Sequence, residues 1–238
     1  MIDGLNVLAI IPARGGSKGV PLKNLRKIGG VSIVELAARV AKKVDFIDKV
    51  IVSTDHDGIA RSAINGGAEA PFMRPEELSG DRVSDVQVLT HSLLEMEKND
   101  CKTYSIIIML QPTSPLRSKE HIVNSVEMLL KNNFDSVWSV SETDSKSHPY
   151  KQLSVKNGKL SYYDARGRNV IARQQLKPVY HRNGIVYVVR REILIEKKSI
   201  MGINSGAYVV EGNHISIDTE FDFKLIEAIR SAKKNSKV

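Results

Sequence analysis

Three short apolar runs, each closed by a polar loop, constrain this chain most. Val7–Pro12, Lys49–Thr54 and Tyr104–Leu110 are rich in isoleucine, valine and leucine and show little of the alternation expected of a half-exposed strand. Runs of that kind read as strands buried on both faces. Between them the period changes. Ser32 opens a helix with Glu35 three residues on, a capping-box pattern, and Ile33, Leu36, Ala37, Val40 and Val44 follow at helical spacing. His56–Asn65 reads as a helix stopped by Gly66-Gly67. Ser84–Lys98 is amphipathic, Ser118 can cap a helix through Leu130, and Ser136–Val140 is a short strand. Alternation of this type predicts an α/β fold with a Rossmann-like, mostly parallel sheet and helices on both faces. Ligands of such sheets gather beyond the carboxyl ends of the strands, so the loops starting at Ala13, Asp55 and Gln111 are expected to converge on one crevice.

After Ser141 the texture changes. Residues 142–178 are polar and carry Asn157-Gly158, a hairpin signal between short strands. A buried strand resumes at Gly184–Val189, His214–Ile217 reads as a last short strand, and Thr219 caps a helix through about Ala232. The expected organisation is one α/β domain, residues 1–141 plus 179–238, with 142–178 as a small inserted lobe. A chain of 238 residues with 42% hydrophobic content can bury a core of that size.

The net charge of +8 favours anionic partners such as nucleotides, phosphates or acidic sugars. Part of it, Lys233, Lys234 and Lys237, reads as a solvated tail. Aromatic residues make up 5%, which argues against an aromatic nucleic-acid face. Cys101 is the only cysteine, so neither an internal disulfide nor a four-cysteine metal site is possible, and a reducing cytoplasm is expected. Asp3 and the lack of a basic leader before the first apolar run argue against a secretory signal.

Chemistry concentrates in a few loops. The first strand breaks into Ala13-Arg-Gly-Gly-Ser-Lys-Gly19, followed by Lys23 and Asn24. Glycines let backbone N–H groups approach an anion, and Arg14, Lys18 and Lys23 neutralise it. The loop is neither a Walker A nor a Gly-x-Gly-x-x-Gly sequence; a plain turn with solvated charges is the alternative. Gln111-Pro-Thr-Ser-Pro-Leu-Arg117 is a proline-stiffened polar loop suited to a hydroxylated ligand, or simply a rigid connection. Arg74, within Met73–Asp81, can read a base or a phosphate. Arg173, in Arg173-Gln-Gln-Leu and ahead of Arg182-Asn-Gly184, is a candidate for an anionic group, with Lys151 of the same kind. Asp218, at the end of the last short strand, can hold Mg²⁺ bound to phosphates, whereas Asp222 reads as a helix cap beside Thr219. The six histidines show no zinc-ligand spacing.

Taken in order, Ile11-Pro-Ala-Arg-Gly-Gly-Ser-Lys-Gly, Pro21-Leu-Lys-Asn24, Val52-Ser-Thr-Asp55, Arg74-Pro-Glu-Glu-Leu, Leu110-Gln-Pro-Thr-Ser-Pro-Leu-Arg117, Arg173-Gln-Gln-Leu, Arg182-Asn-Gly184 and Ile217-Asp-Thr-Glu resemble the acylneuraminate cytidylyltransferases, the CMP-sialic acid synthetase family. The resemblance spans nearly the whole chain. It implies transfer of CMP from CTP to a nonulosonic acid with release of pyrophosphate, and a homodimer joined through the inserted lobe. It implies catalytic roles for Arg14, Lys18 and Lys23. It implies a nucleotide side of Ala13, Arg14, Gly15, Ser17, Lys18, Asn24, Arg74 and Ser84, and a sugar side of Gln111, Lys151, Arg173 and Tyr187. Mg²⁺ at Asp218 completes the set.

The chain departs from the family at two places. Some members carry Asp-x-Asp where this chain has Ser216-Ile-Asp218, so one carboxylate remains. The Ser199-Ile-Met201 region has no aromatic residue, which widens the expected acceptor from N-acetylneuraminic acid to legionaminic acid or deaminated sialic acid. The alternatives are a CMP-Kdo synthetase, a basic nucleic-acid-binding module, and a non-catalytic relative that binds CTP.

Overall fold

The computed structural model describes residues 1–212 and 214–235. In chain order the elements are β1 (Val7–Pro12), a small hairpin of β2 (Lys27–Ile28) and β3 (Val31–Ser32), α1 (Ile33–Ala41), β4 (Lys49–Ser53), α2 (Asp57–Asn65), α3 (Asp85–Asp100), β5 (Ile106–Met109), α4 (Lys119–Lys131) and β6 (Ser136–Glu142). There follow β7 (Leu153–Lys156), β8 (Lys159–Tyr162), β9 (Tyr180–Arg190), α5 (Arg191–Ile195), β10 (Ser205–Val209) and α6 (Glu220–Asn235). Six strands form the main sheet in the order β10-β6-β9-β5-β1-β4. All its neighbours pair in parallel except β9, which runs antiparallel to both β5 and β6.

Strand side chains alternate between two helical layers, as a period of two requires. Val7, Ala9 and Ile11 of β1 face a core shared with Val34, Ala37, Ala38 and Ala41 of α1 and with Ile122, Val126 and Leu129 of α4. Leu8 and Ile10 face Leu89, Leu93 and Met96 of α3 and Leu194 of α5. Each such fully buried Leu or Ile contributes about 1.5–3 kcal/mol relative to exposure. A third cluster joins Val20 of the first loop to Ile33, Ile217, Phe223 and Ile226, and so attaches α6 to that loop. The Ser32 cap follows the sequence, its side chain accepting the Glu35 N–H; Ser84 and Gln87 form a further capping box at the start of α3.

The main element types agree with the sequence, with three corrections. First, His214–Ile217 is not a strand. Its backbone bond toward the sheet is the Ile217 N–H, which donates to the Thr113 carbonyl at 2.9 Å, a bond to a loop. The edge position belongs to β10, which no sequence pattern marks. Its small residues mask a strand period, and Gly206 is there because a Cβ would lie 2.5 Å from the Phe134 ring. Second, β9 starts at Tyr180, four residues before Gly184, and runs antiparallel; nothing local in a buried run reveals its direction. Third, the β2–β3 hairpin is too short to show a period of its own; Gly29 and Gly30 turn it with φ of 58° and 84°.

Between β6 and β9, β7 and β8 form a separate two-stranded sheet around Asn157-Gly158, with φ of 53° and 74° as a tight hairpin turn needs. Leu153, Val155 and Leu160 on it are exposed. Lys237 lies outside the described residues, as do the side chains of Lys233 and Lys234. Among the described residues no helix is long and apolar enough to cross a membrane.

Candidate active site

The carboxyl ends of β1, β4 and β5 lie side by side, and a cleft of about 700 Å³ opens beyond them. Arg14, Ser17, Lys18, Lys23 and Asn24 reach it from the loop after β1. Arg74 reaches it from the segment before α3, Gln111 from the loop after β5, and Ser216 and Asp218 from the approach to α6.

Each group is held by its neighbours. Arg74 is 6% exposed; its Nε donates to Ser53 Oγ at 3.1 Å and its Nη2 to the Ser53 carbonyl. Burial pulls its guanidinium down to about 10 from the usual value, partly opposed by Asp55. Asn24 is buried and its amide donates to the Arg14 carbonyl at 3.0 Å, fixing the loop. Lys23 Nζ donates to the Ile217 carbonyl at 2.8 Å and to the Asp218 carboxylate at 3.1 Å. Asp222 accepts the Asp218 and Thr219 N–H groups at 2.9 and 2.7 Å, the capping role its sequence position suggests. Asp218 therefore points outward, its side chain 74% exposed.

The proline-stiffened loop is braced from below. Arg117 is buried and gives its Nη2 to the carbonyls of Gln111 (2.6 Å) and Gly184 (3.2 Å), and its Nε to Ile185. Burial lowers its pKa to about 9. Gly184, at φ 70°, brings the β9 backbone against the same loop; a Cβ there would lie 2.6 Å from Gln111 Oε1 and 2.8 Å from Ser114 Oγ. A bulge between β6 and β9 lies beside it, and Asn183 and Ser139 satisfy it: Ser139 Oγ donates to Asn183 Oδ1 at 2.6 Å and accepts the Val186 N–H at 2.8 Å. In Arg182-Asn-Gly184 the asparagine is thus a buried structural brace, and Arg182 lies over the Trp138 ring.

Several residues expected at the site do not themselves line the cleft. Ala13 is buried in the sheet core, and the Gly15 N–H donates to Asp55 Oδ1 at 2.7 Å. Ser84 is occupied as the cap of α3. Tyr187 is 5% exposed; its hydroxyl accepts the Gly184 N–H at 3.0 Å and its ring lies 5.0 Å from Trp138, so it supports Gly184 from behind. Lys151 and Arg173 are exposed on the 142–178 segment, away from the large cleft. Arg173 lines a smaller recess of about 290 Å³ with His148 and Lys177.

Two cleft carboxylates have no signature in the sequence. Asp81 takes Arg14 Nη1 on one oxygen at 2.7 Å and Lys18 Nζ on the other. Those pairings, Lys18 first, hold its carboxyl below the usual range. Asp85, the first residue of α3, is half-buried, and burial raises its carboxyl above that range. Both lie in the stretch after Arg74, where Ser79-Gly80 announces a loop, but an acidic residue in a loop carries no signal of which cation it meets.

No three histidine, cysteine, aspartate or glutamate side chains gather into a metal cage among the described residues. The outward, largely exposed carboxylate of Asp218 fits Mg²⁺, which keeps its waters and binds through one or two carboxylates and substrate phosphates.

A strand-end cleft that joins a glycine loop, clustered cations and a carboxylate belongs to a nucleotide-using α/β protein. The family model described as "Cytidylyltransferase" matches residues 8–234, and the chain belongs to that family, a family of nucleotidyltransferases. It is 32% identical over 232 residues to a CMP-N,N'-diacetyllegionaminic acid synthase of Campylobacter jejuni, covering 97% of each chain. It is 29% identical over 238 residues to an N-acylneuraminate cytidylyltransferase of Escherichia coli, covering 98% of this chain and 54% of that one. Among solved structures, a CMP:2-keto-3-deoxy-manno-octonic acid synthetase complexed with CTP shares the fold, with a TM-score of 0.72, 18% identity and coverage of 96% and 99%.

Proposed function

We propose that this protein transfers CMP from CTP to a nonulosonic acid, N-acetylneuraminic acid or a relative such as legionaminic acid, and releases pyrophosphate. The observation that carries this reading is the convergence of Arg14, Lys18, Lys23, Arg74, Gln111 and Asp218 on one cleft, in a chain of the cytidylyltransferase family. The anomeric hydroxyl of the acid attacks the α-phosphorus. An O–P bond forms as the bond to the bridging oxygen of the β-phosphate breaks, and the hydroxyl proton passes to solvent.

Arg14, Lys18 and Lys23 bind the triphosphate and stabilise charge building on the departing pyrophosphate. Asn24 and Arg74 hold the nucleoside end, and Gln111 faces the acceptor. Asp218 would hold Mg²⁺ together with the phosphates, and the ion would supply further positive charge there. Lys151 and Arg173 serve an acceptor site only if a second copy brings them to it. The exposed Leu153, Val155, Leu160 and Ile171 of the 142–178 segment support a homodimer joined through that lobe. The cations lie at strand ends rather than along a helix face, which favours a small anionic ligand over nucleic acid. We assign the reaction to the cytoplasm, in keeping with the lone exposed thiol of Cys101.

Incubation with CTP, Mg²⁺ and a panel of nonulosonic acids plus Kdo, read by mass spectrometry of CMP-sugar products, tests the proposal. A product with at least one nonulosonic acid is expected. Product with Kdo alone, or with none, overturns it.

A further inference from the structure

The anion cradle already holds an anion of its own. Asp81 places one carboxylate oxygen on Arg14 Nη1, at 2.7 Å, and the other on Lys18 Nζ. These two cations are the ones proposed to bind the triphosphate, so a role for Asp81 in nucleotide exchange rests on that reading of the cleft. Two cations against one carboxylate leave the group with a single net positive charge. A phosphate tail must therefore compete with Asp81 before it meets either cation in full.

The geometry favours exchange over permanence. The Lys18 side chain is 81% exposed and that of Asp81 39%, so water reaches the contact. Ion pairs this exposed add little to folding. The segment that carries Asp81 is a strap fixed at both ends. On one side the Arg74 N–H donates to the Thr54 carbonyl at 2.7 Å and its guanidinium grips Ser53. A short turn comes next, in which Ser79 Oγ donates to the Pro75 carbonyl at 3.0 Å. On the other side the Ser84–Gln87 capping box starts α3. Between these anchors the backbone through Gly80, Asp81 and Arg82 is tied by one long bond, Val83 N–H to the Gly80 carbonyl at 3.4 Å. Leu78, Gly80, Asp81 and Val83 of the strap line the cleft directly.

We propose that Asp81 is a tethered competitor for the phosphate cradle: it holds Arg14 and Lys18 before nucleotide arrives, yields them to the triphosphate, and recaptures them as pyrophosphate leaves. A competitor fixed to the same chain acts at constant effective concentration. It scales the affinity for every polyphosphate by the fraction of time the cations are free of it. The same competition speeds product departure.

The test is titration calorimetry of inorganic pyrophosphate, with a chelator present so that only side-chain cations contribute, on the wild type, Asp81→Asn and Asp81→Glu. Asp81→Asn is expected to bind pyrophosphate roughly three- to tenfold more tightly. Asp81→Glu, which keeps the charge, stays near the wild type, and the affinity for uncharged cytidine is the same in all three. In turnover, Asp81→Asn lowers the KM for CTP and lowers kcat with it as pyrophosphate release slows. Unchanged or weaker pyrophosphate binding by Asp81→Asn, with a native circular dichroism spectrum, overturns the proposal. Failure of the wild type to bind CTP would strike the functional reading instead, because the pyrophosphate comparison does not use CTP.

Discussion

Lys23 and Asp218 stand 195 positions apart in the chain, yet the lysine ammonium lies 3.1 Å from the aspartate carboxylate. The same ammonium binds the Ile217 carbonyl, and Gly19 packs so closely on the Asp218 carbonyl that a Cβ would come within 2.6 Å of it. The glycine loop and the approach to α6 are therefore one unit, and the cleft is closed on that side by backbone.

Gly19→Ala tests this closure. The added methyl meets a backbone oxygen, which cannot rotate away, so the loop must shift. The expected result is a native circular dichroism spectrum with CTP affinity and turnover both reduced at least about tenfold, since small misplacements of positioning groups are costly. Wild-type kinetics would show that the loop and Asp218 do not act together.

Arg14→Ala and Lys18→Ala are expected to cut turnover by roughly 10²–10³ each, the usual scale for one lost transition-state donor. Their stability should hardly move, because both side chains are partly or largely exposed. Pyrophosphate release and thermal melting on the two variants check both halves.

Arg117→Leu should behave in the opposite way. It strands the buried carbonyls of Gly184 and Ile185 and the partly buried carbonyl of Gln111, at a cost of about 2–4 kcal/mol in unfolding free energy. Arg117→Lys should rescue only part of this, because a single ammonium cannot reproduce the fork. Denaturant unfolding of both variants measures it.

Asp85 gives a pH signature. Burial raises its folded pKa above the unfolded value of about 3.9, so the native state binds more protons and stability falls as pH rises through that window. The cost is fully present above the raised pKa and absent below the ordinary one. Asp85→Asn should therefore melt higher than the wild type at pH 7, with the difference shrinking as the pH falls to about 4. A constant difference across that range would place the effect elsewhere.

Ser216 lines the cleft two residues before Asp218. Ser216→Asp should add a second oxygen ligand and lower the Mg²⁺ concentration for half-maximal activity. An unchanged Mg²⁺ titration would separate Ser216 from the ion.

The long buried strands, the Ser32 cap and the glycine loop are legible in the sequence alone because they rest on local physics. A buried run such as Ile106–Met109 is apolar whatever surrounds it, Ser32 and Glu35 cap α1 within four residues, and Asn157-Gly158 turns a hairpin through its own φ angles. Residue type and position after β1 and β5 also mark Arg14, Lys18, Lys23 and Gln111 as candidates, whereas Arg74 is marked by type alone and Asp218 by an expected strand that is a loop in the structure. Contact between distant segments has no such local sign. The antiparallel course of β9, the burial of Arg117 under three carbonyls, the withdrawal of Tyr187 behind Gly184 and the grip of Asp81 on two cations depend on which surfaces meet. That is settled by packing and desolvation summed over the whole molecule, and by no window of neighbouring residues.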